Sequence, residues 1–175
     1  MKKNLVLTGM MGVGKSTIGI GLSKVLNMKF IDIDSEIESQ ESMKIKKIFK
    51  TKSEEYFRNI EEKICLDYLK KSNYVIALGG GAFINKKIRD IVLKTSLSFW
   101  LNLKKESLLK RLQHSKKRPI LNNVNLEEKL TSIYKERKDI YTLANHKIEC
   151  DKIEKSLIID KIAKIYENDT DKSKE

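Results

Sequence analysis

Nine residues near the start of the chain, "GMMGVGKST" at 9–17, limit the possible folds more than any other feature. They fit G-x-x-x-x-G-K-[ST] and stand between a short apolar run at 5–8 and a helical pattern that begins at Lys15. Position matters because the chemistry of such a loop is largely backbone chemistry. Glycines let successive amides converge on phosphate oxygens, a lysine reaches the outer phosphates, and the dipole of the following helix favours the anion. Gly12, Val13, Gly14, Lys15, Ser16 and Thr17 are therefore candidate nucleotide-binding residues, with Lys15 also a candidate for the chemical step and Ser16 a candidate magnesium ligand. The loop implies use of a nucleoside triphosphate, most often ATP, and leaves the acceptor open. A small transferase fits best: 175 residues is short for a motor or a helicase, and no N-K-x-D guanine signature follows the fourth apolar run.

Apolar runs at 5–8, 30–33, 74–78, 97–103 and 146–150 alternate with helical patterns at about 15–26, 53–70, 86–93, 105–113, 126–143 and 154–166. This alternation predicts an α/β fold: a mostly parallel five-stranded sheet with helices on both faces, in one domain over 1–166. "SEEY" at 53–56 is a cap followed by acidic residues that suit a helix N-terminus. The polar stretch before it reads as small helices forming a flap, about 34–60. A second polar and basic stretch, about 113–125, contains the only proline and reads as a mobile lid. Residues 167–175 read as a disordered tail.

The formal net charge of +12 is carried almost wholly by lysine, scattered over helix surfaces, with arginine only at 58, 89, 111, 118 and 137. Nucleic-acid recognition favours the bidentate guanidinium, so the charge reads as a solvated basic surface with a general attraction for anions, not as a nucleic-acid site. No stretch has signal-peptide or membrane-spanning character, and Cys65 and Cys150 lack partners at metal-ligand spacing. A cytoplasmic protein with buried free thiols and no membrane association is expected.

Three further stretches bear on the acceptor. "DID" places Asp32 and Asp34 on the same side of an extended segment, where one carboxylate could serve the magnesium shell and the other an attacking hydroxyl. A helix cap at Asp34 explains that residue equally well. "YFRNIEEK" sets Arg58 three and four residues before Glu61 and Glu62, which by spacing alone is a solvated ion pair worth roughly 0.3 to 0.5 kcal/mol. "YVIALGGGAFIN" ends a strand in Gly79, Gly80 and Gly81, where missing Cβ atoms and accessible positive φ allow main chain to approach a small ligand; a tight turn is the alternative.

Taken together, "GMMGVGKSTIG", "DID", "FRNIE", "LGGGAF" and "RPIL" resemble the shikimate kinases in order and spacing, from Lys3 to about Tyr166. The resemblance implies a nucleoside-monophosphate-kinase-like P-loop fold of sheet order 2-3-1-4-5 and transfer of the ATP γ-phosphate to the 3-hydroxyl of shikimate. It implies that Arg58 and Arg137 hold the substrate carboxylate, that Gly79, Gly80 and Gly81 line its site, and that Asp34 orients the hydroxyls as candidate base. Asp32 would act on Mg2+ through water, Arg111 would stack on adenine, and Arg118 would swing over the transferring phosphate. Phe49 and Phe57 would wall the ring. The chain departs from the family pattern at "RKDIY", with Asp139 for proline, and at "ESMK" in the flap. The enzyme is expected to be a monomer. Alternatives are a related kinase for gluconate or a nucleoside monophosphate, and a basic nucleic-acid-binding protein that uses ATP as a signal.

Overall fold

The computed structural model describes residues 2–113 and 126–172. The elements run β1 (Asn4–Thr8), α1 (Lys15–Val25), β2 (Lys29–Asp32), α2 (Ile33–Glu41), α3 (Ile45–Thr51), α4 (Glu54–Leu69), β3 (Tyr74–Ala77), a 3-10 turn (Ala82–Ile84), α5 (Lys86–Thr95), β4 (Ser96–Asn102), α6 (Lys105–Gln113), α7 (Leu126–Tyr141), β5 (His146–Glu149) and α8 (Lys155–Lys172). All strand pairs are parallel, in the order β2-β3-β1-β4-β5.

Burial explains why β1 is central. Its side chains from Asn4 to Thr8 are all buried, as suits a strand covered on both faces, whereas β2 and β5 at the two edges are partly exposed. Because the strands are parallel, their carboxyl ends share one edge of the sheet. The connection from β1 runs past β3 to β2, and that from β3 runs back past β1 to β4. The chain therefore leaves neighbouring strands in opposite directions, and a crevice opens beyond the ends of β1 and β3. The phosphate loop follows one of these strands and the glycine triplet follows the other.

Two sequence expectations change here. Strand β2 stops at Asp32 and the chain becomes helical at Ile33, so "DID" is a strand-to-helix corner and Asp34 lies in the first turn of α2. The proposed disordered tail is helical as far as Lys172: α8 is anchored by the Tyr166 hydroxyl, which donates to the Lys3 carbonyl at 2.5 Å, and by Asp169, 3.1 Å from His146 Nε2. The flap region does form small helices, α2 and α3. The proposed lid lies outside the described residues apart from Gln113, which ends α6. No helix among the described residues is long and apolar enough to cross a membrane.

Candidate active site

Positive φ angles at Gly9 (133°), Gly12 (80°) and Gly14 (104°) shape the phosphate loop into a curve that side chains would disfavour. Gly14 is the N-cap of α1, and a Cβ built on it would meet nothing within 4 Å, so the loop's concave side is open. Lys15 Nζ donates to the carbonyls of Gly9 (2.8 Å) and Met10 (3.0 Å), which holds the amine over the loop. The Ser16 hydroxyl donates to Asp32 Oδ2, while Asp32 Oδ1 accepts from the Ser35 amide at 3.1 Å. Asp32, not Asp34, is thus the cap of α2, and Asp34 is left for other contacts. Val13 packs into the core, and its carbonyl accepts from Arg111 Nη1 at 3.1 Å, which draws α6 across the loop. Gly12, Gly14, Lys15, Ser16, Thr17, Asp32 and Asp34 border a cavity of about 950 Å³.

A second cavity of about 530 Å³ adjoins the first, and Met11, Asp34 and Gly80 border both. The F-R-x-x-E pair of α4 forms its floor. Arg58 Nη1 donates to Glu61 Oε2 at 2.7 Å and Nη2 to Glu54 at 3.2 Å. This is not the solvated pair that spacing predicts: Glu61 is 2% exposed. Burial pushes the Glu61 carboxyl up, the Arg58 charge opposes it, and Asp34 adds to the rise. For Arg58, burial disfavours the cation, but Glu61 and Glu54 outweigh it and the net shift is upward. Arg137, from α7, donates through Nη1 to the Gly80 carbonyl at 2.9 Å. Phe49 and Phe57 meet at 4.8 Å between ring centroids and form an apolar wall.

The glycine triplet shows a reason for its composition that the sequence reading missed. None of its members has positive φ; positive angles among glycines occur only at 9, 12 and 14. Instead, side chains crowd the sites of the absent Cβ atoms. A Cβ at Gly79 would lie 2.5 Å from an Asp34 oxygen and 2.7 Å from a Glu61 oxygen, and one at Gly81 would lie 2.6 Å from Arg58 Nη1. Gly80 and Gly81 line the second cavity, whereas Gly79 is buried beneath Asp34 and Glu61.

The structure thus brings together Lys15, Ser16, Asp32, Asp34, Arg58, Gly80, Gly81 and Arg137 around two joined cavities. Arg118 lies outside the described residues. Glu61 holds Arg58, and Tyr141, which lines neither cavity, donates to the Gly80 carbonyl behind it; the sequence reading assigned neither a role, and their only signals were the F-R-x-x-E spacing and a tyrosine four residues after Arg137. No group of three or more His, Cys, Asp or Glu side chains able to hold a metal occurs among the described residues. A cation here would be shared with phosphate oxygens and water, as suits Mg2+, and the oxygen corner of Ser16 and Asp32 fits that arrangement.

A family model described as "SKI: Shikimate kinase" matches residues 11–167. The shikimate kinase of Sulfurihydrogenibium sp. (strain YO3AOP1) is 41% identical over 160 residues, spanning 91% of this chain and 95% of that protein. The structure of shikimate kinase from Acinetobacter baumannii in complex with shikimate has a TM-score of 0.90 at 30% identity, covering 97% of this chain and 95% of that one. A gluconokinase from Sinorhizobium meliloti 1021, with a TM-score of 0.64 but 14% identity, covering 98% of this chain and 97% of that one, shares the fold alone. A family match across both cavities, and a relative similar along nearly its whole length, make this chain a member of the shikimate kinase family.

Proposed function

We propose that the chain transfers the γ-phosphoryl group of ATP to the 3-hydroxyl of shikimate, giving shikimate 3-phosphate and ADP, on the way to chorismate and the aromatic amino acids. The observation that carries this reading is the meeting of the two cavities at Asp34 and Gly80, one bordered by a phosphate loop and the other by two arginines. A rigid carboxylic acid with several hydroxyls suits that second cavity: Arg58 and Arg137 supply guanidinium forks for the carboxylate, and Phe49 and Phe57 face the ring. Asp34 accepts hydrogen bonds from the acceptor hydroxyls and takes the proton of the attacking one as its oxygen bonds to phosphorus. Lys15 offsets charge that gathers on the phosphoryl oxygens, and the loop amides hold the nucleotide in line. Mg2+, held through the Ser16 hydroxyl with Asp32 beside it, would neutralise phosphate charge when bound. Arg111 would border adenine, and Arg118 in the lid would cover the transferring group and limit hydrolysis.

We place the enzyme in the cytoplasm, in keeping with buried free thiols at Cys65 and Cys150. We infer a monomer, in keeping with a small-kinase cycle that depends on free movement of flap and lid. ADP release with Mg-ATP and shikimate, gluconate, nucleoside monophosphates or no acceptor tests the assignment. Turnover only with shikimate is expected, and turnover with gluconate but not shikimate would reject it. Asp34→Asn should lower kcat about 100-fold or more with little change in the KM for ATP.

A further inference from the structure

Two donors meet on one carbonyl oxygen at the acceptor site. The Tyr141 hydroxyl donates to the Gly80 carbonyl at 2.5 Å, and Arg137 Nη1 donates to the same oxygen at 2.9 Å. Both residues come from the last turn of α7, four positions apart and hence on one face of the helix. A carbonyl oxygen offers two lone pairs, so an occupied first position confines a second donor to the other.

The two donors differ in freedom. Tyr141 is 1% exposed, its ring stacks on Trp100 at 6.0 Å between centroids, and its hydroxyl lies 4.0 Å from Met10 Sδ. Burial pushes its hydroxyl up to about 12, with Arg137 opposing in part, so it remains a donor throughout the working range. Arg137 instead reaches the oxygen on a long, jointed side chain, and its buried Nε has no hydrogen-bond partner among the described residues. A buried guanidinium N–H with no acceptor is unfavourable, and Arg137 lines the cavity in which an anionic ligand would supply that acceptor.

Resting on the functional reading above, we propose that Tyr141 is a positioning residue for acceptor capture: its hydroxyl, through the Gly80 carbonyl, holds the Arg137 guanidinium in the pose that meets the acceptor carboxylate. Tyr141 touches neither reactant. Its influence falls on acceptor binding, and the phosphoryl-transfer step is left nearly unchanged. Without the hydroxyl, the guanidinium can recentre on the carbonyl and withdraw from the cavity.

Tyr141→Phe removes one oxygen and keeps the ring against Trp100. The expected result is a shikimate KM and a calorimetric shikimate Kd both raised about 3- to 10-fold, the worth of one hydrogen bond, with kcat and the KM for ATP within about 2-fold. In an Arg137→Lys background the same change should add almost nothing, because the pose it sets is already gone. An unchanged shikimate Kd in folded Tyr141→Phe overturns the proposal, as does an equal loss for both substrates, which marks a packing role. Should the variant fail to fold, crystals of the wild-type enzyme without acceptor decide. Arg137 ordered on the Gly80 carbonyl supports the proposal; Arg137 displaced while Tyr141 stays bonded overturns it. These crystals also separate the two ideas: a wild-type enzyme inactive on shikimate defeats the functional reading, while the guanidinium pose still tests the role of Tyr141.

Discussion

A methyl group at position 81 would compete with the tip of Arg58, 2.6 Å from Nη1, a flexible group that can move aside. Gly81→Ala should therefore fold normally, with a Tm within a few degrees of wild type, yet raise the shikimate KM about 10-fold, or about 1.4 kcal/mol, as the fork leaves its place. A large loss of Tm with an unchanged KM would show that the glycine serves the turn. Glu61 acts beneath the same arginine. Burial raises its pKa, with Arg58 opposing, so protonation begins above the ordinary 4.5. A raised carboxyl adds stability that is fully present below the unfolded value and is lost as pH rises through the folded one. Function runs the other way, since a neutral Glu61 no longer holds Arg58 by charge. The shikimate KM of the wild-type enzyme should climb as pH falls toward 4.5, while Glu61→Gln should start high and stay flat across that window. Parallel profiles for the two proteins would remove Glu61 from acceptor binding. Spacing along α4 made the Arg58–Glu61 pair legible in the sequence, but not its burial, which depends on the glycine turn packing over it from a distant segment. Asp34 was visible as a carboxylate near the loop. Its geometry was not, because the capping bond of Asp32 turns the chain into α2 one residue earlier than strand alternation implies.

At the scale of elements, the α2–α3 segment is tied by carboxylates at both ends. Glu38 of α2 accepts from the Ile45 amide at 3.0 Å and from Lys44 Nζ at 2.6 Å, and so closes the start of α3. Glu41 takes Lys52 Nζ at 2.5 Å and the Tyr56 hydroxyl at 3.2 Å, which joins α2 to the beginning of α4. Helix α4 itself begins where the sequence placed its cap: Ser53 Oγ accepts from the Tyr56 amide at 3.1 Å. Ser53→Ala should lower stability by about 1 kcal/mol, read as a reduced denaturation midpoint, with kcat unchanged because Ser53 touches neither cavity. No change in midpoint would mean that the Glu41 clamp alone fixes this end. Helices with clear periodicity were legible almost to the residue; 105–113 was predicted as it stands. The end of α8 was not, because its support comes from Lys3 and His146, far away in sequence, while its own residues are polar. The segment from 114 to 125, with Arg118, lies outside the described residues.

For the whole molecule, sheet order decides which loops become neighbours. Periodicity predicted five strands but could not order them; only the family resemblance supplied 2-3-1-4-5, which sets the phosphate loop beside the glycine triplet. The lysine excess acts at this scale too. A net charge of +12 surrounds a crevice that must gather two anions, a nucleotide and a carboxylic acid. Lys44 and Lys46 stand among the residues lining the acceptor cavity, and the Lys44 side chain is 83% exposed even while paired with Glu38. Such a field raises the local concentration of anions over distances that salt curtails, from about 30 Å at 0.01 M to about 8 Å at 0.15 M. Added KCl across that range should lower kcat/KM for shikimate about 3-fold or more while kcat at saturation stays nearly constant, as expected if Arg58 and Arg137 hold the bound acid at short range. Lys46→Glu should flatten that slope without altering kcat. A kcat/KM indifferent to salt would mean that the surface lysines serve solubility alone and that acceptor capture depends on the two guanidinium groups inside the cavity.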